Sequence, residues 1–325
     1  MTPRQALRHY WKVFRLAVTG KMPKIDRRAL TPSPGDPLYV GQDHSGGCSY
    51  AYPEGPDGDD RLVSCLCTED QLRSPTFRYW IGQTKAAFAM HRKQWEFGYV
   101  MQALHERGCL DTGKRGLGFA VGKEPMPKVF ASRGCEIVAT DLHEEDERSQ
   151  VWRKTGQHMS KIASAGQKVN ESDGSITYRH VDMNRIPDDL TGFDFTWSTC
   201  SFEHCGSIRL GQEFIWNQMR CLKPGGTAVH TTEFNLSSNT STLKEGATVI
   251  FRRTDIEEIV RGLVAEGHHV EPLSLDPGTG EFDEHIDWPP YSSDKHLRLM
   301  LKRYAATSIG LIIRKAESAA LAKSA

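Results

Sequence analysis

"RGLGFAVGKE", residues 115–124, decides the fold of this 325-residue chain. It sets Gly116, Gly118 and Gly122 around Ala120, and proline and an apolar-periodic stretch suited to a helix over about 125–133 follow. A short strand that bends through glycines into a helix is the opening unit of a parallel α/β sheet, where ligands meet backbone beyond the carboxyl ends of the strands. Glycine at such a bend leaves bare peptide for a nucleoside or a phosphate. It serves close packing of helix on sheet equally well.

Outward from that segment, strands and helices alternate. Strands are expected at 113–118, in "EIVATDL" from 136, "ITYRHVDM" from 176, "FDFTWST" from 193, "TAVHTTEF" from 227, "HHVEPLSLD" from 268 and "SIGLIIRK" from 308. Helices fit at about 125–133, 145–162, 210–222 and 254–266, the last opened by "TDIE" with Thr254 as cap and Glu257 reaching back. Upstream, "TKAAFAMHRKQWEFGYVMQALHERG" spaces Phe88, Trp95, Tyr99, Val100 and Leu104 as one helix ending at Gly108. The spacing therefore implies βαβ units over residues 76–316, behind an N-terminal extension of residues 1–75 and ahead of a flexible tail, 317–325.

Within that extension, residues 1–20 read as a basic amphipathic helix, suited to docking on the fold or to peripheral membrane contact. Residues from Leu30 to about Asp60 are too rich in Pro, Gly and Asp for regular structure, and read as a disordered linker, a lid or a substrate loop. Lys plus Arg and Asp plus Glu both number 41, so no global field draws the chain to nucleic acid. No apolar run approaches the ~20 residues that span a bilayer, and no secretory signal is visible, which points to a cytoplasmic protein. The eight cysteines are scattered, mostly in apolar segments. Cys65 and Cys67 with Cys48 and His44 lack the paired spacing of a zinc site and read as buried thiols.

Several strand ends carry chemistry. Asp141 and Leu142 close the second strand, nineteen residues beyond Gly122, where a carboxylate accepts both hydroxyls of a ribose; an ordinary helix cap is the plain alternative. Asp182 can accept from an exocyclic adenine amine with Met183 over the adenine face, or stand as a turn residue beside a core methionine. "FDFTWSTCSFEHCGS" then runs from a strand into a small polar cluster that includes Ser198, with Glu203 and His204 beyond.

This order, completed by "LKPGG" at 222–226 before the fifth strand, resembles class I S-adenosylmethionine-dependent methyltransferases over roughly residues 85–316. "HRKQWEFGYVMQAL", "LGFAVGKEP" and "CSFEHCGS" further resemble the methyltransferases of bacterial surface-polysaccharide clusters. The resemblance implies a Rossmann-like, seven-stranded, mostly parallel sheet with an antiparallel last strand, and S-adenosylmethionine as cofactor. It implies a cofactor site at Gly116, Gly118, Ala120, Gly122, Glu124, Asp141, Leu142, Asp182, Met183 and Ser198. The sequence departs from the family in having Gly116 where an acid is usual and Ala120 for the middle glycine. Glu124 then becomes the replacement carboxylate for the cofactor's ammonium group, unless it serves only the helix dipole.

A sugar hydroxyl needs a base before it attacks a methyl group, and imidazole titrates nearest the task. His204, oriented by Glu203, is the favoured base and His230 the other candidate. The aromatic and acidic run "FDEHIDWPPY", 282–291, suits acceptor binding. His230 with Glu233, or that run, can supply metal ligands, but nothing in the spacing demands a metal. The function expected is O-methylation of a sugar, nucleotide-sugar or glycan hydroxyl, with homo-oligomerisation open. A lipid or small-molecule acceptor and a noncatalytic cofactor-binding scaffold are the alternatives, whereas a hydride-transfer Rossmann enzyme would run two mononucleotide-binding halves and would rarely carry the "LKPGG" turn there.

Overall fold

A computed structural model describes residues 22–40, 62–161, 163–292 and 294–317. The expectations for residues 1–20, for 41–61 with His44 and Cys48, and for the tail beyond 317 lie outside the described residues.

In chain order the elements used below are β1 (Ser64–Leu66), α1 (Glu69–Arg73), α2 (Pro75–Gln83), α3 (Arg92–His105), β2 (Arg115–Gly118), α4 (Met126–Ser132), β3 (Glu136–Asp141), β4 (Lys168–Glu171) and β5 (Gly174–His180). They continue with β6 (Phe193–Thr199), α5 (Ile208–Gln218), β7 (Leu222–Asn235), α6 (Arg253–Ala265), β8 (His269–Val270), β9 (Leu273–Ser274), β10 (Arg298–Leu301) and β11 (Tyr304–Arg314).

One sheet runs β9-β1-β11-β7-β6-β2-β3-β5-β4. β5, β3, β2, β6 and β7 are mutually parallel, and β11 lies antiparallel on β7 from Ala306↔Asn235 to Arg314↔Thr227. Beyond β11, β8 pairs through Ile313↔Val270. Counting β2, β3, β5, β6, β7, β8 and β11 as strands one to seven, the spatial order is 3-2-1-4-5-7-6 with only the last antiparallel, the Rossmann-like frame expected. Additional short strands widen it.

Both faces are covered, as a parallel sheet requires. Phe214, Ile215, Ile256, Ile259 and Leu263 of α5 and α6 bury Ile309, Leu311 and Ile313 on one side. Trp95, Tyr99 and Val100 of α3 with Phe130 of α4 bury Phe195, Trp197, Val229 and Ile312 on the other. The period-2 split of β11 between two cores fixes its register, since a one-residue slip would exchange the faces.

Four local expectations need correction. The helix read from residue 84 begins at Arg92, because Lys85 takes φ +59° and Met90–His91 pairs with Lys295–His296; Phe88 is exposed with Arg78 stacked 4.5 Å from its ring centroid. The helix read over 145–162 is only Gln150–Thr155, stopped by Gly156 in the left-handed region. α6 is capped not at Thr254 but two residues earlier, at Arg252, whose amide donates to Asp255 at 2.8 Å and whose guanidinium pairs with the same carboxylate. Finally, β1 lies inside the sheet between β9 and β11, so the sheet reaches across residue 75.

Candidate functional site at the carboxyl edge of the sheet

The strand order reverses at β2, whose neighbours are β3 and β6. In an open α/β sheet that switch point is where a crevice opens. Two loops leave it, Phe119–Glu124 after β2 and Cys200–His204 after β6. Each carries near its start a non-glycine residue in the left-handed region, Ala120 at φ +49° and Cys200 at φ +44°. Such backbone costs about 1–3 kcal/mol per residue and persists where the surroundings over-determine it, typically at sites that work.

The glycines of the first loop answer to protein contacts. A Cβ on Gly116 would stand 2.2 Å from Phe195 and one on Gly118 2.3 Å from Trp197, so both are bare to let β2 pass the aromatic rings of β6. Gly122 takes φ +51°, with the Gln157 carbonyl 2.5 Å from where its Cβ would be. Asp141 is buried, its Oδ1 accepting from the Leu142 amide at 2.9 Å and its Oδ2 from the Met159 amide at 3.0 Å. Burial raises its carboxyl, those amides and His158 opposing. Asp182 forms an ion pair with Arg148 at 2.8 Å, and Met183 packs in the core. Asp141 and Glu124 stand at the edge where β2 and β3 end.

Glu124 accepts from the Thr199 hydroxyl through Oε1, while its Oε2 is buried with no partner. Burial pushes the carboxyl up to about 8, against the pull of Lys93. This orphaned oxygen at the switch point fits an ammonium group.

Beside it lies a buried charged cluster that sequence reading did not assemble. Arg92 Nη1 reaches Glu96 at 3.0 Å, Cys200 Sγ at 3.2 Å and Ser308 Oγ at 3.2 Å, while its Nη2 pairs with Glu233. Lys93 Nζ reaches Glu96 at 2.7 Å and the Thr199 carbonyl at 3.1 Å. Burial alone would raise the Glu96 carboxyl, but Lys93 and Arg92 outweigh it and hold it at about 2. Glu203 and Glu233 go the other way: burial raises both, with Glu96 adding repulsion to Glu203 and Glu203 to Glu233. Ligand atoms of Cys200, Glu203 and Glu233 lie within 4.8 Å of one another, a donor set able to hold a cation, and Arg92 already brings positive charge to it. The available sequence signal was two basic residues, Arg92 and Lys93, one turn before Glu96 at the start of a largely buried helix.

The two expected base histidines are placed differently. His204 Nδ1 donates to the Ala247 carbonyl at 2.7 Å, Nε2 is 3.8 Å from Glu203 Oε1, and Trp152 lies 4.5 Å from the ring. Burial lowers its pKa. His230 is fully buried against Phe214, its Nδ1 bonded to Ser198 Oγ at 2.8 Å, and burial presses its pKa down to about 3. Thus His230 and Ser198 sit within the core on the α5 face, because both belong to the inward set of their strands.

The run at 282–291 belongs to an excursion between β9 and β11. Asp283 anchors it through Arg298 Nη2 at 3.0 Å and the Glu69 amide at 2.9 Å, leaving Trp288 and Tyr291 exposed. Cys65 and Cys67 are buried, and burial lifts the Cys67 thiol to about 12. Among the described residues no helix is long and apolar enough to cross a membrane.

No family model matches the chain. No curated protein matches it either. Among solved structures, an S-adenosylmethionine-dependent methyltransferase from Clostridium acetobutylicum is similar at 12% identity and TM-score 0.38, over 70% of this chain and 93% of that one. One from Mesorhizobium loti is similar at 13% identity and TM-score 0.41, over 66% and 96%. Phosphoethanolamine N-methyltransferase 2 of Haemonchus contortus, in complex with S-adenosyl-L-methionine, is similar at 14% identity and TM-score 0.40, over 76% and 59%. Likeness at this level assigns no activity, and the fold assignment rests on the strand order itself.

Proposed function

We propose that this chain is an S-adenosylmethionine-dependent methyltransferase that O-methylates a sugar or glycan hydroxyl, in the setting of surface-polysaccharide synthesis. The observation that carries the reading is the 3-2-1-4-5-7-6 strand order with Asp141 and the unpartnered Glu124 oxygen at its switch point. On this reading Asp141 holds the ribose hydroxyls and Glu124 the ammonium, with Leu142 and Met183 beside the base and Asp182 at its edge. When bound, the cofactor supplies a methyl group on a positively charged sulfur.

The chain's own contribution is placement. A rigid, water-poor site converts a bimolecular displacement into a step between pre-aligned groups. Glu203 and His204, held by Thr232 at 2.9 Å and Ala247 at 2.7 Å, bind and orient the acceptor from the β6 side. Trp288 and Tyr291 offer exposed rings to the apolar face of a sugar.

Calorimetric titration of the full chain with S-adenosylmethionine and S-adenosylhomocysteine, with NAD and NADP as controls, tests the reading. Micromolar binding of the sulfur nucleosides alone, about 8 kcal/mol, is expected. Binding of the nicotinamide nucleotides instead would replace the class, and binding of none would favour a scaffold.

A further inference from the structure

The excursion between β9 and β11 brings a further imidazole beside the charged cluster. His296 pairs with His91 in a short parallel ladder immediately before α3, so its backbone is fixed one residue from Arg92. Its Nδ1 lies 2.6 Å from Asp287 Oδ2, and that oxygen also accepts from the Ser292 amide at 2.8 Å. The ring stacks on His91 at 4.7 Å, with the Tyr291 ring edge-on at 5.0 Å. Arg298 ties the next turn of the excursion to Asp283, Thr307 and the Pro277 carbonyl, so the imidazole is held from both sides.

We propose that His296, oriented by Asp287, takes the proton from the acceptor hydroxyl. The inference rests on the methyltransferase reading above. With Nδ1–H committed to Asp287, Nε2 carries the lone pair and has no hydrogen-bond partner among the described residues. A carboxylate behind an imidazole fixes its tautomer and stabilises the imidazolium once formed. In the step itself the acceptor O–H bond breaks and its proton goes to Nε2. The oxygen's electron pair forms the new C–O bond, and the donor's S–C bond breaks with its pair remaining on sulfur. Positive charge thereby passes from sulfur to an imidazolium beside Asp287.

The neighbours support this polarity. Burial lowers the His296 pKa against the opposing bond to Asp287, with Arg92 also lowering it and Glu96 raising it, so the ring is neutral and able to accept at pH 7. His91 is ruled out as the base: its Nδ1 already accepts from the Lys93 amide at 3.0 Å, and burial with His296 beside it presses it down to about 4. His204 differs in having its Nδ1 on a neutral carbonyl, which offers an imidazolium less than a carboxylate does.

The test uses the full chain labelled with 15N-histidine, with His296→Asn to assign the signal. The expected spectrum at pH 7 shows His296 as the Nδ1–H tautomer, with a downfield Nδ1 proton that moves in Asp287→Asn. An Nε2–H tautomer, an imidazolium, or a signal indifferent to Asp287→Asn would overturn the proposal. Methyl transfer from labelled S-adenosylmethionine to concentrated methyl hexopyranosides should fall about 100-fold in His296→Asn. S-adenosylhomocysteine affinity should stay within threefold of wild type. A rate within threefold of wild type would refute the base role, whereas a wild-type chain that binds no sulfur nucleoside would refute the underlying reading and leave the tautomer to be read separately.

Discussion

The two loops that flank the switch point are built in opposite ways. The approach to the loop after β2 is shaped by apolar contact, where Gly116 and Gly118 of the strand slide past Phe195 and Trp197, with Glu124 at the loop's far end as its buried acid. The loop after β6 rests on buried charge, with Cys200 and Glu203 beside Arg92, Glu96 and Glu233. Steric buttressing fails gradually as atoms give way. A buried ionic lattice fails abruptly, because removing one member strands its partners.

Arg92→Met tests that contrast at its extreme. It leaves Glu96 and Glu233 without their shared cation and should cost about 3–5 kcal/mol, seen as a fall of roughly 10 °C in melting temperature. Gly118→Ala probes the other side. The new methyl group meets the Trp197 ring, and a loss of about 2 kcal/mol in urea unfolding is expected, the usual scale of overpacking. If the two variants lose equal stability, the contrast is wrong.

Asp141→Ala sharpens the comparison at the level of binding. S-adenosylhomocysteine affinity should drop at least tenfold, about 1.4 kcal/mol, with Asp141→Asn retaining part of it. Unchanged affinity would remove Asp141 from the cofactor site.

Glu124→Gln gives the smallest expected effect and a sign. A carboxyl raised to about 8 in the folded state contributes stability present below its ordinary value near 4.5 and lost as pH climbs through 8. The melting temperature of Glu124→Gln minus that of wild type should therefore grow between pH 5 and pH 8, by at least about 2 °C, or roughly 1 kcal/mol at this size. A gap that shrinks with pH would mean that Glu124 is ionised in the folded chain.

The same contrast explains what the sequence disclosed. The glycine loop, Asp141 and the alternation of strand with helix are local patterns, readable within about thirty residues. The order of strands across the sheet came only through the family resemblance, since no local pattern says which strands become neighbours. The charged cluster draws on residues 92–96, 200–203, 233 and 308, and no local period reports that they meet. His230 misled because strand alternation permits either face, and only the packed Phe214 shows which one it takes. His296 went unnoticed because its value lies in Asp287, nine residues away across an irregular excursion.

The placement of β1 has a kinetic consequence. Cys65 and Leu66 pair with Gly310 and Ile309, some 245 positions later in the chain. During synthesis this strand emerges among the earliest parts of the sheet and finds its mate only when almost everything else has been made. Contacts of such long separation carry a loop-closure cost that slows assembly. In the folded sheet the final strand lies between β7 on one side and β1 on the other. β11 is thus an internal strand rather than a border strand, and a chain stalled before residue 309 lacks the partner that both β1 and β7 use.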